Sequence, residues 1–227
     1  MTEETALNGF ALDSGPPSVE DISYAVSRDG HFLARSATIE EAESIVTRLG
    51  KILFVTDVTV RPGSKALVTS DRGLDFHTDH HRADLICWHC IEQTDEGGES
   101  VLLDGHRLLQ RLRAGLVEDL RGLKLFEHKV FPGDEEAFPF LSQRFGRDKL
   151  YYSFWMLHGA IKPEQKAAFL EFKAITETEP CVRYRLQPGD ILVIDNGRML
   201  HGRTAIKGNK KRFLRRYWIE TQKTQTK

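Results

Sequence analysis

Apolar residues recur along this chain at two spacings, and each spacing predicts a different kind of element. Ile39, Ala42, Ile45, Val46 and Leu49 form one stripe at the helical period. Thr38 precedes the stripe with Glu41 three residues on, the pattern of a capping box, and Gly50 follows as a stop. The spacing predicts a helix over 39–49. Residues 52–56 and 58–60 read as strands ended by Pro62-Gly63, and 65–70 as a short strand leading into a histidine-rich loop. The run 83–93 is continuously apolar and aromatic, as a strand covered on both faces should be. A turn at 95–98 leads to a strand over 100–103. Asp104 then caps a helix carrying Leu108, Leu109 and Leu112, and a further helical turn or two covers 116–120.

Beyond this point the pattern predicts a strand over 123–131, a long loop over 133–147 and a strand over 150–156. A loop of that length in a compact domain is often a lid, and Phe138-Pro139-Phe140 makes it apolar enough to touch a ligand or simply to cover a surface. Pro163 opens a helix with Phe169, Phe172 and Ile175 on its apolar face. The remainder is strand-rich: 181–186, a Pro188-Gly189 turn, 191–194 and 211–220. Short strands, few helices and frequent turn signals predict a mainly β fold with flanking helices, a jelly-roll type of core, in one domain over 19–220. Residues 1–18 read as a loose arm broken at Gly15-Pro16-Pro17, and 221–227 as a tail.

Composition narrows the class. A formal net charge of −1 gives no overall pull toward nucleic acid or a membrane surface. No stretch reaches the roughly 18 apolar residues of a membrane span, and the acidic start, Met1 to Thr5, does not resemble a signal peptide. Three cysteines, an odd and sparse number, argue for reduced thiols and a cytoplasmic setting. Cys87-Trp88-His89-Cys90 lies inside a strand-like run, so its cysteines read as core and not as a redox or zinc motif.

The candidate chemistry starts at His77-Thr78-Asp79. On an extended backbone, residues two apart face the same side, so this tripeptide aims an imidazole and a carboxylate at one point. By the same parity His81 would share that face and His80 would not. Alone the pair also reads as a hydrogen-bonded histidine beside a solvated aspartate. A second stretch, Gly189-Asp190 through Asp195-Asn196-Gly197 to His201, supplies a third donor from a distant strand. Two imidazoles and a carboxylate suit a non-haem Fe(II) with open positions. In 211–218, period-2 alternation puts Arg212, Leu214, Arg216 and Trp218 on one face and Phe213, Arg215 and Tyr217 on the other. A guanidinium inside a pocket needs an anionic partner, and its fork matches a carboxylate. The bland alternative is an exposed basic edge strand. Three rivals use the same residues: a Zn(II) or Mn(II) hydrolase or isomerase on a cupin-like barrel, a non-catalytic metal sensor, and a nucleic-acid modifier or binder with Lys207, Lys210, Lys211, Arg215 and Arg216 as a basic strip.

The order His-x-Asp, Gly-Gly-x-Ser, Gly-Asp-x4-Asp-Asn-x4-His-Gly-Arg, then Arg eleven residues past the His, resembles the taurine dioxygenase (TauD/TfdA) family of Fe(II)/2-oxoglutarate oxygenases. Leu200-His201-Gly202-Arg203 and Ser100 to Gly105 are similar to its clavaminate synthase and gamma-butyrobetaine hydroxylase branch. The resemblance implies a double-stranded β-helix with His77, Asp79 and His201 as iron ligands. It implies Ser100 and Arg212 on 2-oxoglutarate, and Arg216 on cosubstrate or substrate; Arg203 would only brace a turn. The implied reaction consumes O2 and 2-oxoglutarate, releases succinate and CO2, and oxidises an unactivated C–H bond of a small molecule such as an amino acid, with hydroxylation as the default. Asp79 stands where the family's halogenases have a small residue. Phe76, Trp88 and Trp218 are candidates for the substrate pocket. The short chain leaves its covering to the 133–147 loop, the N-terminal arm or a second subunit.

Overall fold

The protein is described here from a computed structural model covering residues 17–221, apart from 62, 128, 145 and 158–160. Most of the expected arm and tail, and Pro62, lie outside the described residues. Ser18, placed in the arm from sequence, caps helix α1 (Val19–Asp29) by accepting the Asp21 N–H, and Gly30 closes that helix at φ 81°. Strand β1 (His31–Ala34) follows, then α2 (Ile39–Leu49), whose capping box between Thr38 and Glu41 is formed in both directions. The two strands expected next are one, β2 (Lys51–Thr59).

The expected strand over 65–70 is a 3-10 turn, Leu67–Thr69. Its carbonyls do not join a sheet because Arg203 takes them: the guanidinium donates to Leu67, Val68, Ser70 and Arg72. Strands β3 (Leu74–His77), β4 (Leu85–Glu92), β5 (Glu96–Gly97) and β6 (Ser100–Asp104) follow. Asp104 caps α3 (Gly105–Arg111) through the N–H groups of His106 and Arg107, and α4 (Ala114–Arg121) comes next.

The region read from sequence as strand, loop, strand is differently divided. The first strand, β7 (Lys124–Phe126), is short. The supposed loop contains β8 (Ala137–Pro139) and β9 (Leu141–Arg144), and β10 (Arg147–Leu150) ends where the later strand was expected to begin. β8 pairs with β7 and β9 with β10, so partners that lie close in the chain create strands that no alternation announces. After α5 (Pro163–Thr178) come β11 (Val182–Tyr184), β12 (Ile191–Asp195), β13 (Met199–Arg203), β14 (Ile206–Lys207) and β15 (Phe213–Glu220).

The fold is mainly β with helices outside. Two antiparallel sheets dominate, one in the order β1-β12-β4-β15-β2 and one in the order β11-β6-β13-β3. Alternation sorts each strand's residues between layers. Leu102, Met199, Leu192, Leu214 and Trp218 meet in a core between the two sheets. On the other face of the larger sheet, Cys87, Val193 and Tyr217 meet Ile22, Ile45 and Val46 of α1 and α2. On the other face of the smaller sheet, Leu103 and Leu200 meet Leu108, Leu116 and Phe169 of α3, α4 and α5. Cys87 and Cys90 are fully buried as free thiols.

Candidate metal centre

The smaller sheet brings the two histidine stretches together by register. His201 of β13 is the direct cross-strand partner of His77 of β3, and their rings lie 4.2 Å apart. The ladder slips by a residue between His201 and Arg203. Gly202 permits the close approach there, since a Cβ on it would stand 2.5 Å from the Leu74 carbonyl oxygen. Asp79 follows His77 on the same side, with Oδ2 3.9 Å from His201 Nε2. One ligand atom from each of His77, Asp79 and His201 falls within 4.8 Å of the others, and all three residues are buried.

The protonation states suit a divalent cation. The His77 Nδ1–H donates to the Asp75 carbonyl at 2.9 Å, which leaves the Nε2 lone pair for a metal. Neither ring nitrogen of buried His201 has a hydrogen-bond partner, although such groups are normally satisfied. Burial lowers the pKa of both histidines, and for His201 the neighbouring His77 lowers it further, so both rings are neutral donors. Burial alone would raise Asp79, but Arg216, His201 and His77 hold its carboxyl below the usual range. This neutral-imidazole and carboxylate set fits a first-row divalent metal with open positions.

Asp79 is held from three sides. Arg216 Nη1 donates to both carboxylate oxygens at 2.9 Å, and Trp218 Nε1 donates to Oδ2 at 2.8 Å. The third support is Asn196, which sequence reading treated only as part of a turn. Its side chain is fully buried; Oδ1 accepts the Asp79 N–H, and Nδ2 donates to the carbonyls of His80 and Ala83. A polar residue immediately after an apolar strand was the available signal. It could not be separated from ordinary turn chemistry without the fold.

A cavity beside the triad is lined by His77, His201, Trp88, Ser100, Arg212 and Arg216, among others. Arg212 is 5% exposed, and its Nε donates to the Gly98 carbonyl at 3.0 Å. Among the described residues no carboxylate forms an ion pair with it, and burial pushes its pKa down to about 9. A buried guanidinium without a counter-charge is costly unless an anion joins it.

The other sequence candidates separate. Trp88 stands edge-on to His201 at 5.0 Å. Phe76 alternates to the opposite face and packs against the helix-side core, away from the triad. The parity that would put His81 on the metal's face ends at a turn after His80, and neither His80 nor His81 joins the triad. The His81 ring stacks instead on Phe138 at 3.6 Å, and its Nε2 meets Glu127. Trp155 lies 5.3 Å from His77. One aromatic neighbour was missed: Phe54 lies 5.3 Å from Trp218. Of the suggested basic strip, Lys207, Lys210 and Arg215 are paired with Glu96, Asp71 and Asp57.

Comparison with known proteins adds an independent line. The family model described as "Taurine catabolism dioxygenase TauD, TfdA family" matches residues 31–218. Gamma-butyrobetaine dioxygenase of Homo sapiens is 27% identical over 171 residues, covering 58% of this chain and 40% of that protein. The chain therefore spans well under half the length of that curated relative. Among solved structures, an asparagine oxygenase in complex with Fe(II), 2S,3S-3-hydroxyasparagine and succinate superposes with a TM-score of 0.73 at 18% identity, over 89% of this chain and 79% of that one. A taurine dioxygenase from Burkholderia xenovorans gives 0.71 at 20% identity, over 95% and 86%. At these identities the likeness is one of fold.

Proposed function

The chain belongs to the taurine catabolism dioxygenase TauD, TfdA family, and from that premise we propose that it is an Fe(II)- and 2-oxoglutarate-dependent dioxygenase. It would oxidise, by default hydroxylate, a C–H bond of a small molecule and release succinate and CO2. We read the two facing sheets as a double-stranded β-helix of the jelly-roll, cupin-like kind, a reading supported by the likeness to the asparagine and taurine oxygenases.

In this proposal His77, Asp79 and His201 would hold the iron beside the cavity. Iron, 2-oxoglutarate and O2 supply the oxidising chemistry when bound. The protein's part is to bind and orient. Arg212 offers a guanidinium fork to the distal carboxylate of 2-oxoglutarate, and Ser100 offers a hydroxyl in the same cavity. Arg216 keeps Asp79 ionised and oriented, and its position on the cavity wall lets it face substrate or cosubstrate as well. Trp88 and Trp218 keep water from the ligands. Phe54 and Trp155, 41% and 38% exposed, pack beside Trp218 and His77. An amino acid or related metabolite is the substrate class we favour. That choice is supported by the relatives named for asparagine and gamma-butyrobetaine.

The observation that carries the reading is Arg212, a buried cation beside the triad with no ion-pair partner among the described residues. A hydrolase or a bare metal sensor has no use for it. Anaerobic titration with Fe(II) and then 2-oxoglutarate tests the proposal. A weak visible charge-transfer band should grow to one equivalent of each; its absence in metal-loaded protein would refute the oxygenase reading.

A further inference from the structure

A second group of metal-ligating side chains lies outside the triad. His80, His81, Glu127 and Asp134 each bring a donor atom within 4.8 Å of the others. They come from two segments, the loop after β3 and the connection between β7 and β8. The side chains of Glu127 and Asp134 are 1% and 2% exposed. Two carboxylates so deeply buried and so close need a counter-charge. Among the described residues the arginine paired with them is Arg82, 3.9 Å from Asp134 and partly exposed. Glu127 Oε1 is buried and faces the Nε2 atoms of His81 and, at 3.6 Å, His80.

Ring stacking fixes where the imidazoles point. His81 is stacked on Phe138 at 3.6 Å with 8° between planes, which aims Nε2 at Glu127. His80 is stacked between His81 and Trp218, with Phe131 at its edge. Its Nδ1 accepts the Arg82 N–H at 3.2 Å, so the ring proton sits on Nε2 and is donated to Asp134 at 3.2 Å. His80 is thus the orienting group, and His81 is the histidine with a lone pair to give. Asp134 is set by two further donors, the N–H groups of Val130 and Phe131.

We propose that His81, Glu127 and Asp134 bind a second divalent transition-metal ion, with His80 holding Asp134 in place. One imidazole and two carboxylates suit Zn(II), Mn(II) or Fe(II). The ion's task is mechanical. It would pin the 127–134 connection to the loop carrying Asp79. That connection brings Phe131 to within 6.4 Å, ring to ring, of Trp218, which itself bonds Asp79. Nothing in this proposal depends on the reaction catalysed at the triad.

The test counts ions. Metal-free full-length protein is titrated with Zn(II), desalted, and its bound metal measured by mass spectrometry. Two equivalents are expected. A Glu127→Gln/Asp134→Asn variant should retain one, and so should a His77→Ala/His201→Ala variant; combining all four changes should leave none. Retention of one equivalent by the first variant also reports that it is folded. His81→Ala should likewise retain one and guards against a local effect of the carboxylate changes. In the His77→Ala/His201→Ala background, Zn(II) should still raise the Tm, and Asp134→Asn should remove that rise. One equivalent in the wild type, or two in the Glu127→Gln/Asp134→Asn variant, would overturn the second site while leaving the triad untouched.

Discussion

Arg212→Met should stabilise the ligand-free protein and weaken cosubstrate binding at least thirty-fold, two effects of opposite sign from one change. Methionine keeps the length and flexibility of the stem but not the charge. Burial pushes the Arg212 guanidinium down to about 9 from 12.5. At about 1.36 kcal/mol per pH unit, that is on the order of 5 kcal/mol against the charged form. The cost is present in full below about pH 9 and fades as pH rises toward the unfolded-state value. Set against it is one charged hydrogen bond, to Gly98 O, worth about 1.5–3 kcal/mol. The variant without ligands should therefore gain about 2–3 kcal/mol, or roughly 4–12 °C in Tm for a chain of this size. Cosubstrate reverses the order. Saturating 2-oxoglutarate at about 100 Kd adds about 2.7 kcal/mol to the wild type. Removing the buried cationic partner costs about 2–5 kcal/mol of affinity, thirty-fold or more, so at the same concentration the variant should keep at most about a third of the shift. Differential scanning fluorimetry of the Fe(II) protein, with and without 2-oxoglutarate, reads both effects. A variant less stable than the wild type when ligand-free, or one that keeps the ligand-induced shift, would refute the account of Arg212.

Three further outcomes follow from the same geometry. Asn196→Ala removes the clamp on the Asp79 backbone and should weaken Fe(II) affinity by about 10- to 100-fold, as loss of a ligand's support usually does, read by competition with a chelator. Gly202→Ala puts a Cβ 2.5 Å from the Leu74 carbonyl; the strands must part, at a cost of about 1–3 kcal/mol in urea unfolding and with weakened metal binding. The metal-free protein should lose stability on acidification, because His77 and His201 titrate lower folded than unfolded and the unfolded chain takes up protons first. Both contribute to the loss as pH falls through the unfolded-state value of about 6.5; a flat profile by chemical denaturation would contradict their burial as neutral rings.

What could be read from sequence was what local chemistry decides. The α2 helix announced itself through its stripe and capping box, and β4 through a run of apolar residues that only a twice-covered strand can carry. The same local signals mark α1, with Ser18 as cap and Ile22, Ala25 and Val26 as stripe, but the cap itself falls in a stretch that reads as a loose arm. The pairing of His77 with Asp79 was legible through alternation, the addition of His201 through the resemblance in motif order, and the inward face of β15 through its period of two. What could not be read depended on partners. β7 and β8 are strands because they meet each other, and 65–70 is not one because Arg203 claims its carbonyls. Asn196, Glu127 and Asp134 acquire meaning only where the chain folds them against His80.

The register that makes His77 and His201 neighbours also dates the centre within folding. The two residues lie more than a hundred positions apart in the chain. His77 and Asp79 are together in any extended conformer, but the third donor arrives only when β13 docks beside β3, one of the most distant pairings the chain must make. A centre completed by such a late contact has little to offer the folding transition state. Metal bound there should act on the reverse journey, slowing the escape from the native state and leaving the rate of reaching it nearly unchanged.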